Sequence, residues 1–127
     1  MRILNCRLTK SNTNVTKFFG KQGDRTWHTG CDVEAHNVYS LCDGVVINIA
    51  YEQKHTSIVT VQYSKNRCVR YGNLASVEVS IGQPIVDGQL VGKASKSVHF
   101  EYCVKDEVSQ LSTSYLDEKW NEFFIKE

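Results

Sequence analysis

The sequence predicts a mainly β protein, a compact antiparallel β-sheet core followed by a short C-terminal helix. Three observations predict it. Runs such as "SIVTVQYS" (57–64) and "SVHFEYCV" (97–104) alternate apolar and polar residues and are rich in β-branched and aromatic types. Glycines and turn dipeptides interrupt the chain at short intervals. Only the tail, "STSYLDEKWNEFFIKE" (112–127), spaces its apolar residues Leu116, Trp120, Phe123 and Phe124 as one face of a helix.

In chain order, "RILNCRLT" (2–9) alternates partly and reads as a first strand. "NTNVTKFFGKQGDRT" (12–26) is polar and glycine-punctuated and reads as a loop. "VYSLCDGVVINIAY" (38–51) is two strand runs around an Asp43-Gly44 turn signal. "SIVTVQYS" and "CVRYGNLASVEV" (68–79), separated by Lys65-Asn66, form a predicted hairpin. "VSIGQPIVDGQLVGKA" (79–94) is a series of short, tightly turning strands, with the only proline, Pro84, at a turn or an edge. "SVHFEYCV" is the last predicted strand. In the tail, Ser114 and Asp117 form a helix-start arrangement. A chain of 127 residues accommodates one domain: strand and loop over 1–24, a motif-bearing β core over 25–104, and a helical tail over 105–127.

Composition narrows the function. Hydrophobic residues make up 41% and charged residues 23%, an ordinary globular balance. Fifteen basic and 14 acidic residues leave a net charge of +1, so neither nucleic acid nor a membrane is an expected partner. The N-terminus shows no basic-then-apolar signal pattern and no segment approaches a membrane span. The five cysteines include no C-x-x-C pair and are expected as buried free thiols.

The chemistry concentrates in "TWHTGCDV" (26–33) and "SVHFEY". If 28–32 is one strand, alternation turns His28 and Asp32 to the same face and Cys31 to the other, with side-chain-free Gly30 between the first two. His and Asp are ordinary zinc ligands at about 2.0–2.2 Å. His99, which shares a face with Ser97 and Glu101, is the best third candidate. Spacing alone leaves a second possibility open: His28 as a turn residue and His99 as a hydrogen-bonded core histidine.

"HTGCD", "VYSLCDGVV", "VRYGNLASVEVSIGQPIVDGQLVG" and "VHFEY" occur in one order over about three quarters of the chain. This series resembles the lysostaphin-like (LytM-type) zinc endopeptidases of bacterial cell walls and phage particles. Their motifs are H-x-G-x-D, a V-Y-A-x-x-D-G-x-V strand pair, Y-x-H-L, a glycine-punctuated run and H-x-H-F-E. The resemblance implies a compact antiparallel β core and Zn2+ held by His28, Asp32 and His99. It also implies a substrate among peptidoglycan peptides. The fourth metal position would be left to water or the scissile carbonyl.

Two positions depart from the family pattern. Asn73 stands where Y-x-H-L has histidine, and Ser97 where H-x-H has its first. Asn73 can donate to an oxyanion but cannot carry positive charge, and Ser97 is a poor base near neutral pH. Catalysis is therefore expected to be weak or lost. The alternative is a non-catalytic module of a cell-wall or phage-tail assembly, with virion or cell-wall proteins as partners. Delivery by a phage particle, or release at the wall, fits the lack of a signal pattern. His36 is the candidate substitute for the missing histidines. Glu34, Glu101 and His55 read as solvated or structural. Tyr71 and Asn73 could bind a sugar or peptide near a cleft, whereas Arg70 reads as strand packing.

Overall fold

The computed structural model describes residues 2–17, 20–21, 27–28, 30–52, 55–105 and 111–113, with side chains described over 6–17, 30–52 and 55–103. Twelve strands account for most of these residues. They are β1 (Arg2–Cys6), β2 (Ser11–Lys17), β3 (Gly20–Lys21), β4 (Trp27–His28), β5 (Cys31–Glu34) and β6 (Asn37–Tyr39). Then follow β7 (Gly44–Tyr51), β8 (Ser57–Ser64), β9 (Arg67–Val77), β10 (Pro84–Ile85), β11 (Leu90–Lys105) and β12 (Leu111–Thr113). Every pairing between them is antiparallel. One sheet runs β1-β2-β5-β11-β9-β8-β7-β10, with β6 and β12 also joined to β11, and β3–β4 is a separate ribbon. The mainly β prediction holds.

Alternation decides which side of the sheet becomes the core. Cys31, Val33, Val59, Val61, Val69, Tyr71, Val98 and Phe100 lie on the buried side, all at or within 1% of full burial. Phe100 is the hub. Its ring lies 5.9 Å from that of Tyr71 and 4.8 Å, edge to face, from that of Tyr102, spacings at which aromatic quadrupoles attract. The Tyr71 hydroxyl accepts a hydrogen bond from the Leu41 N–H at 2.9 Å, so this polar atom is satisfied inside the core.

Between β9 and β10 and again before β11 the chain makes two turns of one design. Gln83 N–H donates to Ser80 O and Gln89 N–H to Val86 O, while Gly82 (φ +87°) and Gly88 (φ +85°) take the third positions. A type II turn requires that positive φ. In both turns the glutamine side chain accepts back from the backbone N–H of the first turn residue.

The structure corrects three expectations. Residues 12–26 are not a loop throughout, since Ser11–Lys17 is strand β2. It is polar because its alternation buries only Thr13 and Val15 and leaves the other side in water. Thr13 also donates its hydroxyl to Glu34 O. Residues 28–32 are not one strand, because the chain bends at Gly30 between β4 and β5. The "SVHFEYCV" strand begins earlier, at Leu90, and β12 follows it. Of the tail predicted as a helix, Leu111–Thr113 is strand β12 instead, and residues 114–127, with Leu116, Trp120, Phe123 and Phe124, lie outside the described residues. The hairpin at Lys65-Asn66 is present as β8–β9, and Pro84 sits on the edge strand β10, as expected.

Phe100→Ala should lower the unfolding free energy by about 3–5 kcal/mol, the usual cost of truncating a fully buried aromatic, measured by urea denaturation.

Candidate metal centre

The site lies on the other, polar side of the same strands. Register places Asp32 of β5 opposite His99 of β11 on one edge, and Gly72 of β9 opposite His99 on the other. One pair further along, Glu101 stands opposite Arg70. Cross-strand partners project to the same face, so β5, β11 and β9 gather Asp32, His99, Glu101 and Arg70 there.

These groups form a line. His99 Nδ1 is 2.8 Å from Asp32 Oδ1, and its Nε2 is 2.7 Å from Glu101 Oε1. The second oxygen of Glu101 meets the Arg70 guanidinium at 3.2 Å and accepts a weak bond from Cys103 Sγ at 3.7 Å. Burial alone would lower the His99 pKa. The carboxylates of Asp32 and Glu101 outweigh it and push it up to about 9. Both ring nitrogens then donate, and the metal-free side chain is an imidazolium between two anions. The Cys103 thiol is pushed up to about 12, first by burial, which keeps it protonated.

Gly30 is required here by space. A Cβ built on it would meet Phe100 O at 2.2 Å, Glu101 Cγ at 2.8 Å and His99 Nε2 at 3.0 Å. Its role is thus to let the β4–β5 bend press against β11.

Asp32 and His99 are donor types that a divalent metal takes. Ligating histidines commonly give the other ring N–H to a carboxylate, and Glu101 is placed to receive that proton at Nε2. Nδ1 is then left for a metal beside Asp32 Oδ1. Among the described residues no three His, Cys, Asp or Glu side chains are placed to hold a metal ion. Asp32 and His99 are two of the three expected. His28 is placed through its backbone only, in β4 opposite Gly20.

Asn73 and Ser97 also meet. Between the pairs Ala94↔Leu74 and His99↔Gly72, residues 95–98 of β11 stand against Asn73 alone. The bulge puts Asn73 at φ +60°, a region where Asn, Asp and His are enriched. Its side-chain amide donates to Ser97 O at 2.9 Å, and its backbone N–H donates to Glu52 Oε1 at 2.9 Å. Ser97 also lines an open groove of about 590 Å³ with Thr16, Glu34, Ser95 and Lys96.

The remaining candidates are placed elsewhere. His36 is exposed at the bend between β5 and β6, where its carbonyl accepts from Ala94 N. That is roughly 10–15 Å of extended strand from His99. His55 is exposed in the β7–β8 connection. Tyr71 faces the core and not a cleft, which removes it as a binding residue. Arg70, expected only to pack, makes the ion pair to Glu101. Glu52 was missed altogether. Its approach depends on two successive strand registers, Tyr51↔Ser57 and Ser57↔Leu74, which no local pattern displays.

A model of peptidase family M23 matches residues 26–111, well over half of the chain. The chain belongs to peptidase family M23. Solved structures of similar fold include the catalytic domain of a substituted form of EnpA, a prophage-encoded M23 protein from Enterococcus faecalis. It is 21% identical with a TM-score of 0.70, covering 83% of this chain and 92% of that one. A zinc-containing peptidase from Vibrio cholerae is 21% identical with a TM-score of 0.69, covering 92% of this chain and 41% of that one. The antimicrobial peptidase lysostaphin from Staphylococcus simulans is 15% identical with a TM-score of 0.64, covering 80% and 47%. This chain thus spans under half the length of the last two. No curated protein matches it in sequence. The M23 fold, a lysostaphin-like antiparallel β core, agrees with the strand order described above.

The raised His99 pKa predicts how metal-free stability depends on pH. The contribution is complete below about pH 6.5 and is lost as pH rises through about 9. Urea denaturation of the chelator-treated protein should show a loss on the order of 3 kcal/mol across that window, and His99→Gln should remove the dependence.

Proposed function

We propose that this M23 domain is a zinc-dependent endopeptidase of bacterial cell-wall peptides with weakened turnover. Asp32, His99 and His28 are the proposed ligands. The observation that carries the reading is the Asp32–His99 pair, 2.8 Å apart, with Glu101 taking the other ring nitrogen. A histidine held in this way has the tautomer and orientation that a metal ligand would need.

Zinc, when bound, lowers the pKa of water and polarises a carbonyl. The residues of the chain do the rest. Glu101, fixed by Arg70, holds the Nε2 proton and so fixes the His99 tautomer. Asn73 can donate its amide to a developing oxyanion but cannot deliver a proton. The groove beside Ser97 offers an extended peptide a path along the bulge. Losing a general acid–base group costs ~10²–10⁴ in rate, and losing an oxyanion donor ~10²–10³. With both histidines replaced, slow turnover is the expected state.

One observation favours a second reading, a non-catalytic wall-binding or virion module that keeps its metal for stability. The Asn73 amide is turned onto the main-chain carbonyl of Ser97, so it braces the bulge.

Purified protein should hold about one zinc per chain and release soluble fragments slowly from purified sacculi, with His99→Ala removing both. Asn73→His combined with Ser97→His should raise release by about 10² or more, because φ +60° at residue 73 suits histidine too. Zinc uptake without release in either form would leave the non-catalytic reading. Separately, Glu101→Gln should weaken zinc binding ~10–100-fold, read by competition with a chromogenic chelator.

A further inference from the structure

The bulge at Asn73 brings a carboxylate to the site that no motif contains. Glu52 follows the last residue of β7, where its backbone N–H donates to Thr56 O at 2.7 Å and closes the β7–β8 connection. From there its side chain reaches Asn73, with Oε1 accepting the Asn73 N–H at 2.9 Å. Gly72, directly opposite His99, has no side chain. The point where its Cβ would stand is 3.5 Å from His99 Cβ and 3.7 Å from Glu52 Oε1. The Glu52 carboxylate and the base of the His99 side chain therefore border one gap over Gly72. Asp32 lies on the opposite edge of β11, so Glu52 occupies the β9 side, beside the replaced position Asn73.

We propose that Glu52 is the proton carrier of this site, in place of the family histidines that Asn73 and Ser97 do not supply. The assignment rests on the peptidase reading above. In the step it would serve, water gives one proton to the Glu52 carboxylate as its oxygen bonds to the scissile carbonyl carbon. The C–N bond then breaks, and the leaving amine nitrogen takes the proton back from Glu52. Peptide and water become acid and amine, and Glu52 returns to its starting form. A carboxylate is the general base beside the metal in other zinc peptidases, so the chemistry suits the group.

Glu52→Gln separates this role from a structural one. Glutamine keeps an oxygen that can accept from Asn73 N–H but cannot carry the proton. In zinc-loaded protein acting on dye-labelled purified sacculi, the maximal release rate should fall ~10²-fold or more. The half-saturating sacculus concentration, zinc affinity and melting temperature should stay unchanged. Glu52→Asp should keep part of the rate, and formate should partly restore Glu52→Ala. Wild-type release by Glu52→Gln would overturn the proposal and leave Glu52 as a brace for the bulge. A tenfold weaker zinc affinity in Glu52→Gln would also overturn it, making Glu52 a ligand. If zinc-loaded wild type releases nothing, the peptidase reading itself fails, and Glu52 with it, before any substitution is compared.

Discussion

Strand β11 is hydrogen-bonded on both edges at His99, and the site depends on that. Asp32 comes to one edge through β5 and Gly72 to the other through β9. Slipping either register by one residue would turn its partner to the core face. The register is held from beneath. Cys31, Val33, Val98, Phe100 and Tyr71 alternate with the site residues and are fully buried. The apolar side of the sheet thus fixes the polar side, and the geometry of His99 follows from the packing of Phe100.

On the polar side the binding constraint is charge. Asp32 and Glu101 flank a single imidazole, and Glu101 is about nine-tenths buried. Carboxylates this close and this poorly solvated need a cation between or beside them. His99 as imidazolium supplies one and Arg70 the other. A divalent ion at Nδ1 would exchange a proton for a stronger charge while the rest of the line stays in place. Metal binding and proton release are coupled in such a centre.

Much of this was legible in the sequence, and the gaps have physical causes. Alternation in "SIVTVQYS" and "SVHFEYCV" located β8 and the functional half of β11. It also put Ser97, His99 and Glu101 on one face and Cys31 in the core. Asn73 and Ser97 were recognisable as replacements because the surrounding motifs are intact. Strand β2 was not legible because its exposed side carries the composition of a loop. The bend at Gly30 was hidden because a glycine between His28 and Asp32 suits a strand and a break alike, and only the approach of the Phe100 carbonyl decides. Arg70 and Glu52 act through partners 31 and 21 residues away, and such pairings depend on sheet registers that local patterns do not contain.

The far end of the sheet has a different consequence. There β7 is bordered by β10, two residues long and opening with Pro84, which has no N–H to offer. Val45, Ile81 and Val86 are exposed around it. An apolar margin on a long, regular strand would template the growth of the sheet from one molecule into the next. Where β10 covers β7, at Gly44 and Val45, the margin is short, interrupted by proline and flanked by two tight turns, and presents little backbone for a second molecule to read. At that rim the domain can therefore carry apolar side chains and still resist polymerising through them.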